Sequence, residues 1–274
     1  MIATKFFVGC AGWSYDDWKT AGFYSHTLPK NAYLRRYAEV FNFVEINSSF
    51  YAPPSESMIT HWDQSTPASF RFSVKVWQQL THKRNISQLD EQISQFFPRF
   101  WGLREKISTY LLQFPPSFRH SAANIEYLHT LLHRLPKSSH FAVELRDNSW
   151  FTPSIMDDIF TSSHIFPVTS YLPGNLPYYS QPQSHYYVRL IGDRVLTAFN
   201  RTQRAQSPIM EDLLRKMKQL QLTPDITDIF VIFNNHFRGF SPHDVNEFKR
   251  LMALPVTSYR TFRSLLSYKT QKKK

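Results

Sequence analysis

The sequence predicts an α/β fold: one closed barrel of eight parallel strands, each followed by a helix, with a single abbreviated crossover between strands 6 and 7. Two observations carry that expectation. Eight short apolar, β-branched or aromatic runs recur along the chain, at 6–10, 43–47, 70–76, 109–114, 141–145, 165–170, 186–190 and 229–233, as buried strands do. Stretches of helical period follow seven of them, and such βα alternation in about 250 residues is the signature of a TIM-type (β/α)8 barrel. The 274 residues accommodate it as one unit.

The helices are expected at 31–40, 55–64, 88–100, 122–135, 153–160, 208–220 and 242–252. Pro53-Pro54 precedes the second, and Pro153, Pro208 and Pro242 open the last three. Proline suits a first helical turn, where its missing N–H would have had no partner. The link 171–184 holds Pro173, Gly174, Pro177 and Pro182 and reads as an extended loop. No linker composition or internal repeat divides the chain, so 1–268 is expected as one barrel domain and the Lys-rich 269–274 as a disordered basic tail.

Composition narrows the function classes. Lys and Arg number 32 against 21 Asp and Glu, a formal charge of +11, which favours phosphate-bearing small molecules or nucleic acid as partners. Cys10 is the only cysteine, so neither an intrachain disulfide nor a cysteine-built zinc centre can form, and a reducing, cytoplasmic setting is expected. No apolar run approaches the roughly 20 residues that span a bilayer, and residues 1–10 lack the features of a secretory signal, so no membrane association is expected. None of the 11 His falls in an H-x-H or H-E-x-x-H arrangement and no G-x-G-x-x-G turn occurs among the 7 Gly. Neither a metal nor a dinucleotide cofactor is therefore assigned.

Alternation along the strands locates a site. Successive side chains point to opposite faces, so one set fills the barrel and the other meets the helices. In 43–47, Val44 and Ile46 suit the helix side, leaving Phe43, Glu45 and Asn47 inside. By the same rule Lys75, Gln113, Glu144, Arg146, Arg189 and Asn234 point inward, each at or just beyond the C-terminal end of its strand. That end carries the active site in characterised enzymes of this architecture. Glu45, Glu144 and Lys75 are the candidate catalytic groups. Trp13, Asn47, Tyr51, Gln113, Arg146, Arg189 and Asn234 are the candidate ligand-binding groups. Aromatics follow the same strands: Trp13 and Tyr15, Phe50 and Tyr51, Trp77, Phe114, Trp150 and Phe237. A competing explanation is a self-satisfied ion-pair network that closes the barrel. Against it stands the cost of desolvating ions, which apolar packing avoids.

Seven segments resemble the family called domain of unknown function 72, or YecE-like. They are GCAGWSYDDWKTAGFYSHTLP (9–29), VEINSSFYAPP (44–54), FRFSVKVWQQLTH (70–82), LLQFPPSF (111–118), AVELRDNSW (142–150), YVRLIGD (187–193) and IFVIFNNHFRG (229–239). The resemblance implies a barrel of the kind read above, places most of the candidate residues in family motifs, and implies no established activity. Three departures stand out. Cys10-Ala11 replaces a common Thr-Ser, Ile191-Gly192 a common His-Gly, and Ser170 occupies the place of an Asp.

The function expected is binding of an anionic, ring-bearing ligand such as a nucleotide or sugar phosphate, with acid/base chemistry on it. A metal-independent hydrolase, lyase or isomerase would fit, with the nucleophile unassigned. The alternative is a nucleic-acid-binding protein, with or without phosphodiesterase activity, by analogy of fold with endonuclease-four-like barrels.

Overall fold

The structure is a computed structural model that describes residues 4–180 and 183–259. Eight parallel strands close into a barrel in sequence order: β1 (Lys5–Ala11), β2 (Phe43–Ile46), β3 (Arg71–Lys75), β4 (Ile107–Gln113), β5 (Phe141–Glu144), β6 (Ile165–Tyr171), β7 (His185–Leu190) and β8 (Asp228–Phe233). β8 pairs with β1 from Lys5↔Asp228 to Cys10↔Phe233, which seals the sheet. The helices are α1 (Asp17–Thr20), α2 (Tyr33–Ala38), α3 (Glu56–Gln64), α4 (Leu89–Phe96), α5 (Ala122–Arg134), α6 (Pro153–Ile159), α7 (Ser207–Gln221), α8 (Asn235–Arg238) and α9 (Ser241–Leu251).

All eight expected strands and all seven expected helices are present, and among the described residues the link from β6 to β7 holds no helix. Two helices differ in form. The stretch expected at 31–40 opens as a 3-10 turn, Lys30–Ala32, before α2, and the one expected at 88–100 ends at Phe96 and continues as a 3-10 stretch, Phe97–Lys106. Pro98 falls in the first turn of that stretch and supplies no N–H for the α-helical ladder. The basic tail 269–274 lies outside the described residues.

The alternation rule holds on each strand that carries the site. Phe43, Leu111, Ala142, Phe166, Tyr187 and Phe230 pack with one another inside the barrel. Val44, Ile46, Phe72, Val74, Val143 and Val188 join the larger core between sheet and helices. Between Phe72↔Ile107 and Ser73↔Thr109 the β3–β4 register slips by one residue, an irregularity of the kind that re-aims side chains near sites. Gly9 is required on β1, because a Cβ there would lie 2.1 Å from the Phe43 carbonyl oxygen.

Candidate functional site

Inner-face parity carries Glu45, Glu144 and Arg189 to one layer above the apolar plug, all three almost wholly buried. Arg189 grips Glu45 with two parallel bonds, Nη2 to Oε1 at 2.7 Å and Nε to Oε2 at 3.0 Å. Its Nη1 donates to Glu144 Oε2. Arg146 Nε donates to Glu144 Oε1 at 3.0 Å, and Ser170 Oγ donates to the same oxygen at 2.8 Å. Burial by itself would raise the Glu144 carboxyl, yet Arg146 and Arg189 hold it down at about 2. Burial also opposes the Arg189 charge, and the two carboxylates overcome it and fix the guanidinium as a cation. Charges at this depth persist only when paired and hydrogen-bonded, as these are.

Two more inner-face hydroxyls complete this floor. Tyr187 donates its hydroxyl proton to Glu45 Oε2 at 2.8 Å. That proton being committed, Ser73 must be the donor in the 2.5 Å contact between its hydroxyl and that of Tyr187. Neither Ser73 nor Tyr187 is among the candidate site residues that the sequence offers, although both share the inner parity of Lys75 and Arg189.

Lys75 stands apart from this network. Its Nζ lies 4.1 Å from the centroid of the Phe50 ring, and no carboxylate among the described residues comes within ion-pair reach of it. Burial, reinforced by the Arg189 charge, brings the ammonium down to about 7, with Glu144 and Glu45 opposing the shift and Arg146 adding to it. The loop after β2 supplies the ring: residues Ser48–Phe50 form a 3-10 turn, and Ser49 Oγ donates to the Lys75 carbonyl at 2.6 Å, pinning the turn to the end of β3.

After β3 the chain makes a π-helical turn, Gln79–Lys83, and leaves it through Arg84 in the left-handed region, φ 56°. Such turns often mark functional sites. This one sets His82 edge-on to Phe50, 4.8 Å between centroids, with Nδ1 2.9 Å from Thr81 Oγ1. Burial, then the charges of Lys75, Arg146 and Arg84, depress His82 to about 4, so the imidazole is neutral at pH 7.

The remaining candidates are placed as follows. Asn47, half-buried at the end of β2, makes no side-chain hydrogen bond among the described residues. Tyr51 is 71% exposed and packs edge-on to Phe50. Trp13 is half-buried and edge-on to Trp62 of α3. Gln113 Nε2 donates to the Phe114 carbonyl at 2.7 Å. Asn234 has inner parity, but its Oδ1 accepts the His236 N–H at 3.0 Å and caps α8, a use of Asn that competes with orienting a ligand. The aromatic rim divides: Phe114, Phe118 and Trp150 form a buried stack and Phe237 is buried too, whereas Trp13, Phe50, Tyr51 and Trp77 retain exposed surface. Cys10 faces the helices among core side chains, and burial pushes its thiol up to about 12.

Two cavities lie elsewhere. A groove of about 890 Å³ opens at the N-terminal end of β4, lined by Phe97, Trp101, Tyr110 and His140. That face of a barrel generally serves stability. A second, of about 470 Å³, lies between the loops after β6 and β7, lined by Tyr171, Asn175, Gly192 and Asp212, and Asn175 donates from there to the Arg146 carbonyl at 2.9 Å. Gly192 is required there: with φ +78°, a Cβ would lie 2.1 Å from the His236 carbonyl oxygen. Among the described residues one trio, His243, Asp244 and Glu247 of α9, has ligand atoms within 4.8 Å of one another. Arg238 already fills that place, with Nη1 2.7 Å from Glu247 Oε2 and Nε 3.5 Å from Asp244 Oδ1.

The sequence profile of the family described as "Protein of unknown function DUF72" matches residues 7–264. The chain belongs to that family. The UPF0759 protein YecE of Escherichia coli K12 is 29% identical over 145 residues, 53% of this chain and 50% of that protein. The UPF0759 protein YunF of Bacillus subtilis 168 is 30% identical over 153 residues, 54% and 52% of the two chains. The chain thus matches these curated relatives over about half their length. A DUF72 structure from Thermotoga maritima MSB8 is similar with a TM-score of 0.76 at 25% identity, covering 90% of this chain and 99% of that one. Another, from Enterococcus faecalis V583, gives 0.74 at 21% identity, covering 94% and 98%. The DUF72 barrel is thus the fold that the strand pattern implied, and no helix among its described residues is long and apolar enough to cross a membrane. In this DUF72 chain Ser170, where the resemblance implied an Asp, gives Glu144 a hydrogen bond instead of a second negative charge.

Proposed function

We propose that the barrel mouth binds a small anionic molecule carrying a ring, of the nucleotide or sugar-phosphate class, and performs proton transfer on it. The observation that carries this reading is Lys75, a mouth cation without a carboxylate partner, set between exposed aromatic surface and a floor of paired ions. The floor residues neutralise one another, so an incoming anion finds Lys75 as its counter-ion and meets Arg189 and Arg146 only as fixed positive neighbours. Glu144, held ionised at about 2, is a poor proton donor at neutral pH; Lys75, at about 7, is matched to proton transfer there. Asn47 and Trp13 are the groups left to orient and stack on a ring. Glu45 and Glu144 serve this chemistry by fixing Arg189, and a metal-independent lyase, isomerase or hydrolase fits the set.

Calorimetric titration with nucleoside monophosphates, diphosphates and sugar phosphates tests the reading. Binding to the wild-type chain and at least a tenfold loss in Lys75→Ala are expected, about what removing one charge-assisted contact costs. A wild-type chain that gives no heat with any of them overturns it. The formal charge of +11 favours nucleic acid as the second reading. Affinity for single-stranded DNA or RNA that falls steeply with salt would select it.

A further inference from the structure

We propose that Lys75 is an imine-forming nucleophile whose amine condenses with the carbonyl carbon of a small aldehyde or ketone that also carries an anionic group. The inference rests on the preceding reading for its anionic half and adds the carbonyl class and the covalent step. Its geometric basis is the isolation of Lys75. The groups facing it are Glu45 on β2, Glu144 on β5 and Arg146 just after it, Arg189 on β7 and His82 in the turn after β3. The two carboxylates among them are committed to Arg189, Arg146, Tyr187 and Ser170, and the remaining groups are cationic or neutral. An ammonium so placed has no hydrogen-bonded counter-ion among the described residues and a fixed guanidinium for a neighbour, so the neutral amine is accessible for attack, while the protonated imine that it forms keeps a positive charge for the anionic group of the ligand. Its position near neutrality agrees with that placement.

Two other nucleophiles near the mouth, Cys10 and Ser49, are excluded by their surroundings. The Cys10 thiol is buried on the helix side of the sheet. Ser49 spends its hydroxyl on the Lys75 and Ile46 carbonyls. The Lys75 nitrogen, by contrast, makes no hydrogen bond among the described residues and lies over the Phe50 ring face.

The step balances without an oxidant or reductant. The Nζ lone pair forms the C–N bond while the carbonyl π pair moves to oxygen, which takes up a proton; the nitrogen gives up one. The C–O bond then breaks, its oxygen leaves as water with a second proton, and the nitrogen pair closes the C=N bond, giving a protonated imine. Neutral His82, in a T-shaped contact with the same ring and with Nδ1 engaged by Thr81, has Nε2 left for those proton transfers. The Phe50 face that lies under the ammonium lies equally under the cationic imine and stabilises it. The protonated imine withdraws electrons from the adjacent carbon, which is what a lyase or isomerase of an anionic carbonyl compound requires.

The test is reductive trapping at pH 7 with glyoxylate, and in parallel formaldehyde, in the presence of cyanoborohydride, followed by peptide mapping of each lysine. An ordinary lysine is less than about one part in a thousand neutral at pH 7, so Lys75 should be alkylated about a hundredfold faster than the exposed Lys83, with a rate that levels off above pH 7. Glyoxylate should show the larger preference for Lys75. Labelling of Lys75 no faster than Lys83 overturns the imine proposal, even if the calorimetric titrations show nucleotide binding. Rapid labelling with formaldehyde but no preference with glyoxylate overturns its anionic half. Because the measurement uses the wild-type chain, it does not depend on how any variant folds.

Discussion

At the ends of β2, β5 and β7, Glu45, Glu144, Arg146 and Arg189 neutralise one another through direct hydrogen bonds, whereas at the end of β3 Lys75 faces the Phe50 ring with no carboxylate in ion-pair reach among the described residues. The same barrel mouth therefore holds one set of charges that stabilises the fold and one charge that works against it. Burial raises the cost of any ion, and hydrogen-bonded partners decide whether that cost is met. A position where it is not met marks a group kept for something other than stability.

The contrast can be broken most forcefully at its centre. Arg189→Met leaves Glu45 and Glu144 buried and without their main partner, and should lower the free energy of unfolding by about 4 kcal/mol at pH 7, read by urea denaturation. A loss below 1 kcal/mol would mean that the floor does not support the fold. The pH dependence sharpens it. Glu144 is depressed in the folded state, to about 2 from 4.5, so its contribution is present above pH 4.5 and is lost as pH falls toward 2. The stability gap between wild type and Glu144→Gln should close over that window.

Lys75→Met should do the opposite and stabilise the chain, by about 3 kcal/mol at pH 7. The folded-state value is about 7 against 10.5, so protonation penalises the folded state fully below pH 7. The penalty fades as pH rises toward 10.5, and the variant's advantage should fade with it. A destabilised Lys75→Met at pH 7 would place Lys75 among the structural charges.

The buried carboxylate in the first turn of α9 gives the next test. Asp244, fully buried and with Arg238 Nε no nearer than 3.5 Å, is raised by burial to about 6, against the opposing pull of His243 and Arg238, the reverse of Glu144. A raised carboxyl favours the folded state at low pH and loses that advantage between about 3.8 and 6. Asp244→Asn should therefore be neutral below pH 4 and stabilising by about 2 kcal/mol at pH 8, followed by thermal denaturation across pH. Ser170→Ala, the smallest effect, removes one hydrogen bond to the Glu144 carboxylate and should cost about 1 kcal/mol.

The barrel and the direction of its polar side chains were legible because both are local. A period of two on each strand sorts Val44 from Glu45 and Val74 from Lys75 whatever the strand meets later. Loop chemistry was less legible. Nothing in the pattern around Asn234 told whether its amide would face a ligand or cap the next helix, and the π-helical turn that brings His82 onto Phe50 depends on Tyr127 of α5, whose hydroxyl holds the Leu80 carbonyl at 2.7 Å.

By itself the sequence determined the strands, their inward and outward faces, and the gathering of acids, bases and amides at one rim. Only the tertiary structure decided who pairs with whom: Arg189 lies 144 residues from Glu45 and 45 from Glu144, and barrel closure makes it their shared partner while leaving Lys75 without one. Pairing of charges depends on distances of a few ångströms between strands remote in sequence, and no periodicity along a single strand encodes those.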